Sequence, residues 1–204
     1  IMGTSKRLAE ICIQALYDNQ INHTKFAIVR FGNVLESSGS VIPKFKKQIK
    51  EGGPATLTHP EVTRFFMTIT EASQLVIQAG AMAEKCEVFV LNMGKSIKIK
   101  DLIYKMIKLS GLTVKEAKNL EGDIEIKITG LRPGEKLYEE LLIGDNPQKT
   151  YHEKIQKAQD PFTPFNQLKI DLDNLSTLLE ENSIADVKDM LGKLVPSYQS
   201  NSKI

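Results

Sequence analysis

Two arginines, a glutamate and an asparagine are the residues of this sequence best suited to chemistry. Arg64 stands amid Phe65, Phe66 and Met67, and Arg132 precedes a Pro133-Gly134 turn that leads into Glu135. Guanidinium forks suit a diphosphate, which needs planar bidentate donors in a partly dry cleft. A carboxylate such as Glu135 matches the two hydroxyls of a ribose. Asn33 ends the apolar run Lys25 to Val34, and at the carboxyl edge of a sheet its amide can bond a sugar or phosphate oxygen. Each residue also has a plainer reading. Either arginine can belong to a surface ion pair, Glu135 can be the N-terminal charge of a following helix, and Asn33 can be a turn residue after Gly32.

Other reactive types are sparse. His59 lies between Thr58 and Pro60 without an acidic or cysteine partner at ligand spacing, and His23, His152, Cys12 and Cys86 are scattered singly. A reduced, cytosolic, metal-free protein is the expectation. No G-x-G-x-x-G occurs in the 204 residues, so a glycine-rich dinucleotide loop is missing.

The elements that must position these residues follow from hydrophobic period. Leu8, Ile11, Cys12, Ala15 and Leu16 predict an amphipathic helix from Gly3 to Asn19, with Met2 and Lys6 sharing one face of its first turns. Lys25 to Val34 reads as a buried parallel strand running into a loop at Glu36 to Ser40. A helix over Val41 to Lys50 follows, with Pro43 in its first turn and Gly52-Gly53-Pro54 as its stop. Thr56 to Thr58 and Val62 to Thr68 read as short strands. Ala72, Leu75, Val76, Ala79 and Ala83 form the core face of a helix capped by Thr70, or by Thr68. Glu87 to Asn92 is a further buried strand, Ile99 to Ile107 a helix ended by Gly111, and Ile124 to Thr129 a half-exposed strand. Leu131 to Glu135 is a turn, Lys136 to Leu142 a short helix, Gly144 to Gln167 a loop, and Asp171 to Glu181 and Ile184 to Leu194 two closing helices. The alternation favours a mostly parallel α/β sheet with a smaller α/β appendage. The expected division is 1–142 and 143–204.

Composition narrows the function classes. With 41% hydrophobic and 25% charged residues, disordered, collagen-like and coiled-coil classes are excluded, and no apolar run approaches the length that spans a bilayer. Residues 1 to 100 carry 13 Lys+Arg against 8 Asp+Glu, and residues 101 to 204 carry 14 against 17, so the net +2 conceals a mildly basic first half. That excess suits an anionic ligand but is too diffuse for a nucleic-acid surface. The chain opens at Ile1, already inside a helical pattern, and reads as a piece of something longer.

Taken in order, Met2 to Glu10 (MGTSKRLAE), Val29 to Phe45 (VRFGNVLESSGSVIPKF), Pro60 to Ile69 (PEVTRFFMTI) and Leu131 to Leu141 (LRPGEKLYEEL) carry a family resemblance. They resemble the C-terminal half of extended short-chain dehydrogenase/reductases that act on nucleotide sugars. The likeness is above all to the CapD-like polysaccharide biosynthesis proteins, the membrane-anchored UDP-N-acetylglucosamine 4,6-dehydratases. The implied fold is α/β: a Rossmann-like parallel-sheet remnant interleaved with a small α/β substrate-binding domain. The implied cofactor is NAD, bound mainly by a preceding half that also holds a Thr-Asp-Lys segment with the catalytic acid and base.

The resemblance also assigns residues. Met2 and Lys6 are the Met-x-x-x-Lys form of the active-site helix, with Lys6 placed to hydrogen-bond the nicotinamide ribose; a solvated surface lysine is the plainer alternative. A thioether has no ionisable proton, so Met2 cannot serve as the general base. Asn33, Val41 and Pro43, with Phe45, would line the substrate, although apolar residues at a helix start are core by default. Arg64, Arg132 and Glu135 would grip the UDP.

The implied reaction converts a UDP-N-acetylhexosamine to its 4-keto-6-deoxy derivative for surface glycan assembly. The implied setting is a cytoplasmic domain of a homo-oligomeric protein anchored at the inner face of a bacterial membrane. A UDP-sugar 4-epimerase or a dehydratase coupled to 5-epimerisation uses the same scaffold. The isolated chain is expected to be an inactive, nucleotide-sugar-binding and oligomerising piece.

Overall fold

A computed structural model describes residues 1–19, 24–37, 39–139 and 147–198. In chain order the elements are α1 (Met2–Asp18), β1 (Phe26–Arg30), β2 (Asn33–Val34), α2 (Val41–Lys50), β3 (Ala55–Leu57), β4 (Thr63–Arg64), β5 (Phe66–Met67), α3 (Ile69–Met82) and β6 (Cys86–Leu91). They continue with β7 (Ile97–Lys98), α4 (Ile99–Leu109), β8 (Val114–Lys115), β9 (Ile124–Ile128), β10 (Gln148–Lys149), β11 (Ile155–Ala158), α5 (Phe165–Glu180) and α6 (Ile184–Leu194).

β6 is the apolar centre of the larger sheet. It pairs in parallel with β1 on one side and antiparallel with β11 on the other, and β10 pairs antiparallel with β11. The pleat sends alternate residues to opposite faces. Val88 and Val90 meet Ile28, Ala158 and Ile13 of α1, while Phe89 and Leu91 meet Ile155 and the Ala72, Leu75 and Ala79 face of α3. Both faces of β6 are therefore covered, as its unbroken apolar run requires. α5 and α6 pack on α1, where Leu168, Leu175, Leu191 and Leu194 enclose Ile11 and Ala15.

A second, three-stranded sheet has the order β3-β9-β8, all parallel. Phe45 and Ile49 of α2 and Ile99, Ile103 and Ile107 of α4 close over Leu57 and Ile124 to make its core. Gly111, at φ +75, turns the chain out of α4. Two short ladders, β2 with β5 and β4 with β7, clamp the segments that carry the chain between the two sheets.

Five expectations change. The apolar run over Lys25 to Val34 is two strands, because Phe31 and Gly32 break the ladder. The hydroxyl of Thr68, not Thr70, caps α3 by accepting the Glu71 N–H at 3.1 Å. Lys136 to Glu139 are not helical, because the Leu137 carbonyl is committed across the chain to the Thr63 N–H at 3.1 Å; the rest of the expected helix lies outside the described residues. The expected loop over 144–167, whose residues 144–146 are outside the described ones, contains β10 and β11 and the start of α5. β11 is only four residues of mixed polarity, and what makes it a strand is the free edge of β6. α5 begins at Phe165 rather than Asp171, drawn in by burial of Leu168.

Candidate functional site

The segments between the sheets converge on one cleft of about 420 Å³. The first turn of α2, the end of β3, β4 and the turn before Glu135 form its walls. Phe45, Leu57, Val62 and Ile99 form its apolar floor, continuous with the core of the smaller sheet. Asn33, Val41, Arg64, Arg132 and Glu135, separated by up to 102 positions in sequence, all line it, as does Phe45. A partly apolar concavity with a few convergent polar groups is what a small-ligand site requires.

Glu135 is held on both oxygens. Its Oε1 accepts from the Thr58 hydroxyl at 2.8 Å and lies 3.4 Å from Arg64 Nη2, and its Oε2 accepts the Arg132 backbone N–H at 3.1 Å. The turn closes on itself through the Glu135 N–H to the Arg132 carbonyl at 2.9 Å. Arg64 is equally occupied. Its Nη1 donates to the carbonyls of Thr63 at 2.8 Å and Leu137 at 3.4 Å, and its Nε lies 3.3 Å from Glu139 Oε1. With side-chain exposures of 15% and 20%, Arg64 and Glu135 form a pair largely withdrawn from water, stronger than a surface ion pair of the same length.

Asn33 reaches the cleft because Gly32 lets the chain pass Phe65 closely. A Cβ on Gly32 would lie 3.2 Å from the Phe65 Cβ and 3.3 Å from the Met93 methyl carbon. The Asn33 backbone N–H then donates to the Phe65 carbonyl at 3.1 Å, and its side-chain amide to the same oxygen at 3.3 Å.

Three of the expected site residues stand apart. Pro43 is exposed on α2 and does not line the cleft; Met2, 79% exposed, and Lys6 lie on the first turns of α1, also away from it. α1 is fixed to the larger sheet by a charge network. Arg30 Nε donates to Glu10 Oε1 at 2.8 Å, Arg30 also pairs with Asp160, and Arg7 Nη1 bonds Glu10 Oε2 at 2.9 Å. Burial pushes the Glu10 carboxyl up, but hydrogen bonds from Arg30 and Arg7 outweigh it and hold the group below the ordinary carboxylate value.

Sequence reasoning passed over Thr58, Ser40 and Lys44. The last two were within reach, since Ser40 and Lys44 are one helical turn apart beside Val41, at the spacing that places side chains on one face.

The sequence profile of the polysaccharide biosynthesis protein family matches residues 1–160. The chain is 56% identical over 161 residues to the capsular polysaccharide biosynthesis protein CapD of Staphylococcus aureus, covering 78% of this chain and 25% of that protein. It is 35% identical to a UDP-glucose 4-epimerase of Rickettsia canadensis, over 73% of this chain and 41% of that one. Among solved structures, the X-ray structure of Pen from Bacillus thuringiensis superposes with a TM-score of 0.66 at 35% identity, over 79% of this chain and 48% of that chain. The chain thus spans a quarter to a half of the length of these proteins. No helix among the described residues is long and apolar enough to cross a membrane.

Proposed function

Since this chain belongs to the polysaccharide biosynthesis protein family, with the α/β fold of extended short-chain dehydrogenase/reductases, we propose that its cleft binds a UDP-N-acetylhexosamine, in the first place UDP-N-acetylglucosamine. The protein would convert it to the 4-keto-6-deoxy sugar. The observation that carries this reading is the convergence of Asn33, Arg132 and the braced Glu135 over an apolar floor, a set matched in chemistry to phosphate, ribose and base.

The reaction is redox-neutral. Oxidation at carbon 4 acidifies the carbon 5 proton, water leaves across carbons 5 and 6, and carbon 6 is then reduced. Bound NAD supplies the reversible hydride transfer. Lys6, an exposed ammonium in the first turns of α1, is suited to hold a ribose hydroxyl of that cofactor. The described residues contain no glycine-rich turn for its phosphates, so what this chain contributes is the grip on the nucleotide. Glu135 accepts from ribose hydroxyls, the floor residues exclude water from the base, and Asn33 bonds the sugar-phosphate end.

The likeness to UDP-glucose 4-epimerases supports a second reading, in which the 4-keto sugar is returned to the alcohol without loss of water. Incubation of the full-length protein with NAD and UDP-N-acetylglucosamine, read by NMR, separates the two. A 6-deoxy-4-keto product is expected, a UDP-N-acetylgalactosamine product makes the protein an epimerase, and an unchanged substrate removes both readings.

A further inference from the structure

Four charged side chains outside the cleft close on one another where α1, β1 and the segment after β11 meet. Arg7 and Glu10 lie on α1, next to Lys6 and one turn beyond it; Arg30 ends β1, three residues before Asn33; Asp160 follows β11. Arg30 presents a planar fork to Glu10, with Nε donating to Oε1 at 2.8 Å and Nη2 to Oε2 at 2.5 Å, and its Nη2 also pairs with Asp160. Arg7 Nη1 donates to Glu10 Oε2 at 2.9 Å and lies 3.5 Å from the Asp160 oxygen that Arg30 holds, and its Nη2 donates to the Pro161 carbonyl at 2.9 Å. With side-chain exposures between 14% and 17%, the four make a charge-balanced cluster largely withdrawn from water.

The cluster sits at the joint between two parts of the site. Lys6 and Glu10, four positions apart, share a face of α1, so any rotation or slide of the helix carries both together. Arg30 continues through Phe31 and Gly32 to Asn33, which lines the cleft. Apart from the cluster, what seats α1 on this sheet is Ile13 against Ile28, Val88 and Val90, an apolar contact with no direction of its own. A guanidinium fork on a carboxylate fixes both distance and plane. Desolvation offsets most of the attraction in so dry a cluster, so what the fork adds over apolar packing is geometry.

We infer that Arg30, with Glu10, Arg7 and Asp160, is a positioning device that sets Lys6 of α1 against the substrate held at Asn33, acting on turnover through Lys6 rather than on nucleotide binding. This role rests on the nucleotide-sugar reading and on Lys6 holding the cofactor.

Steady-state turnover of UDP-N-acetylglucosamine with NAD by the full-length protein tests it, paired with a UDP titration and a thermal melt of each variant. Arg30→Lys keeps the charge but loses the fork. It is expected to lower kcat about tenfold or more, the effect of a sub-ångström misplacement, with KM and UDP affinity unchanged. In a Lys6→Ala background the same substitution is expected to cost little further, because it acts through Lys6. If Arg30→Lys does not fold, Asp160→Asn, which leaves the Arg30–Glu10 fork in place, carries the same comparison with a smaller loss of kcat. An active unsubstituted protein whose kcat survives Arg30→Lys overturns the role while the proposed function stands. Equal losses of kcat in the two backgrounds also overturn it, and so does a loss confined to UDP affinity. An unsubstituted protein that turns over no UDP-N-acetylglucosamine removes the proposed reaction, and this role with it.

Discussion

At the scale of single residues, Met2 and Lys6 share a helical face but not a chemistry. A thioether moves no proton, whereas an ammonium can hold a cofactor hydroxyl and lower the pKa of a neighbouring acid. Lys6→Ala in the full-length protein is therefore expected to remove most of the turnover, and Met2→Ala far less; equal losses in steady-state kinetics would void that division. Arg132 and Glu135 differ in another way. Arg132→Ala is expected to weaken UDP roughly tenfold, the usual worth of one charge-assisted hydrogen bond, with the melting temperature unchanged because its side chain is exposed. Glu135→Gln keeps the shape but leaves Arg64 facing a neutral amide, so both nucleotide affinity and stability should fall. A UDP titration paired with a thermal melt of each variant distinguishes the two patterns. The residue types were legible in the sequence, but the engagement of Arg64 was not. Its partners are Thr63, Glu135, Leu137 and Glu139, and of these only Thr63 is near it in the chain.

At the scale of elements, α1 and the turn into β9 show how backbone placement depends on a few contacts. Gly122 sits where a Cβ would lie 2.3 Å from the Val114 carbonyl oxygen, inside the ladder that joins β8 to β9. Gly122→Ala must therefore push these strands apart, and a loss of about 1–3 kcal/mol in urea unfolding is expected, the range of ordinary overpacking. The network of Arg7, Glu10, Arg30 and Asp160 ties α1 to β1 and to the segment after β11. The folded-state pKa of Glu10 lies below its reference value of 4.5, so its contribution is present above that pH and is lost as pH falls through the lower folded value. Glu10→Gln should lower the melting temperature at neutral pH, and the gap from the unsubstituted protein should narrow as the pH falls below 4.5. A gap independent of pH would show that packing, not charge, holds α1. Long periodic elements were readable in advance: α2 matches its expected bounds, and α4 buries Ile99, Ile103 and Ile107 at helical spacing. β11 was not, because four residues of mixed polarity have no period of their own and become a strand only beside β6.

At the scale of the whole molecule, the cleft lies between elements anchored in different layers, so a ligand that spans it must stabilise the fold. UDP at a hundred times its dissociation constant adds about 2.7 kcal/mol by mass action, which for a chain of this size raises the melting temperature by roughly 5–10 °C. No shift at millimolar UDP would mean that the walls do not close on the nucleotide. The sequence by itself determined the longer helices and the apolar strands, the α/β class and the motifs that mark the family, because hydrophobic period and turn residues act over a few positions at a time. Only the tertiary structure decided which arginine has acidic partners among the described residues. Arg64 and Arg132 carry the same guanidinium, and what separates them is whether the carboxylates of Glu135 and Glu139 and the Leu137 carbonyl arrive within hydrogen-bond reach. Charge is a property of the residue, but its availability depends on neighbours that the chain brings in from far along its length.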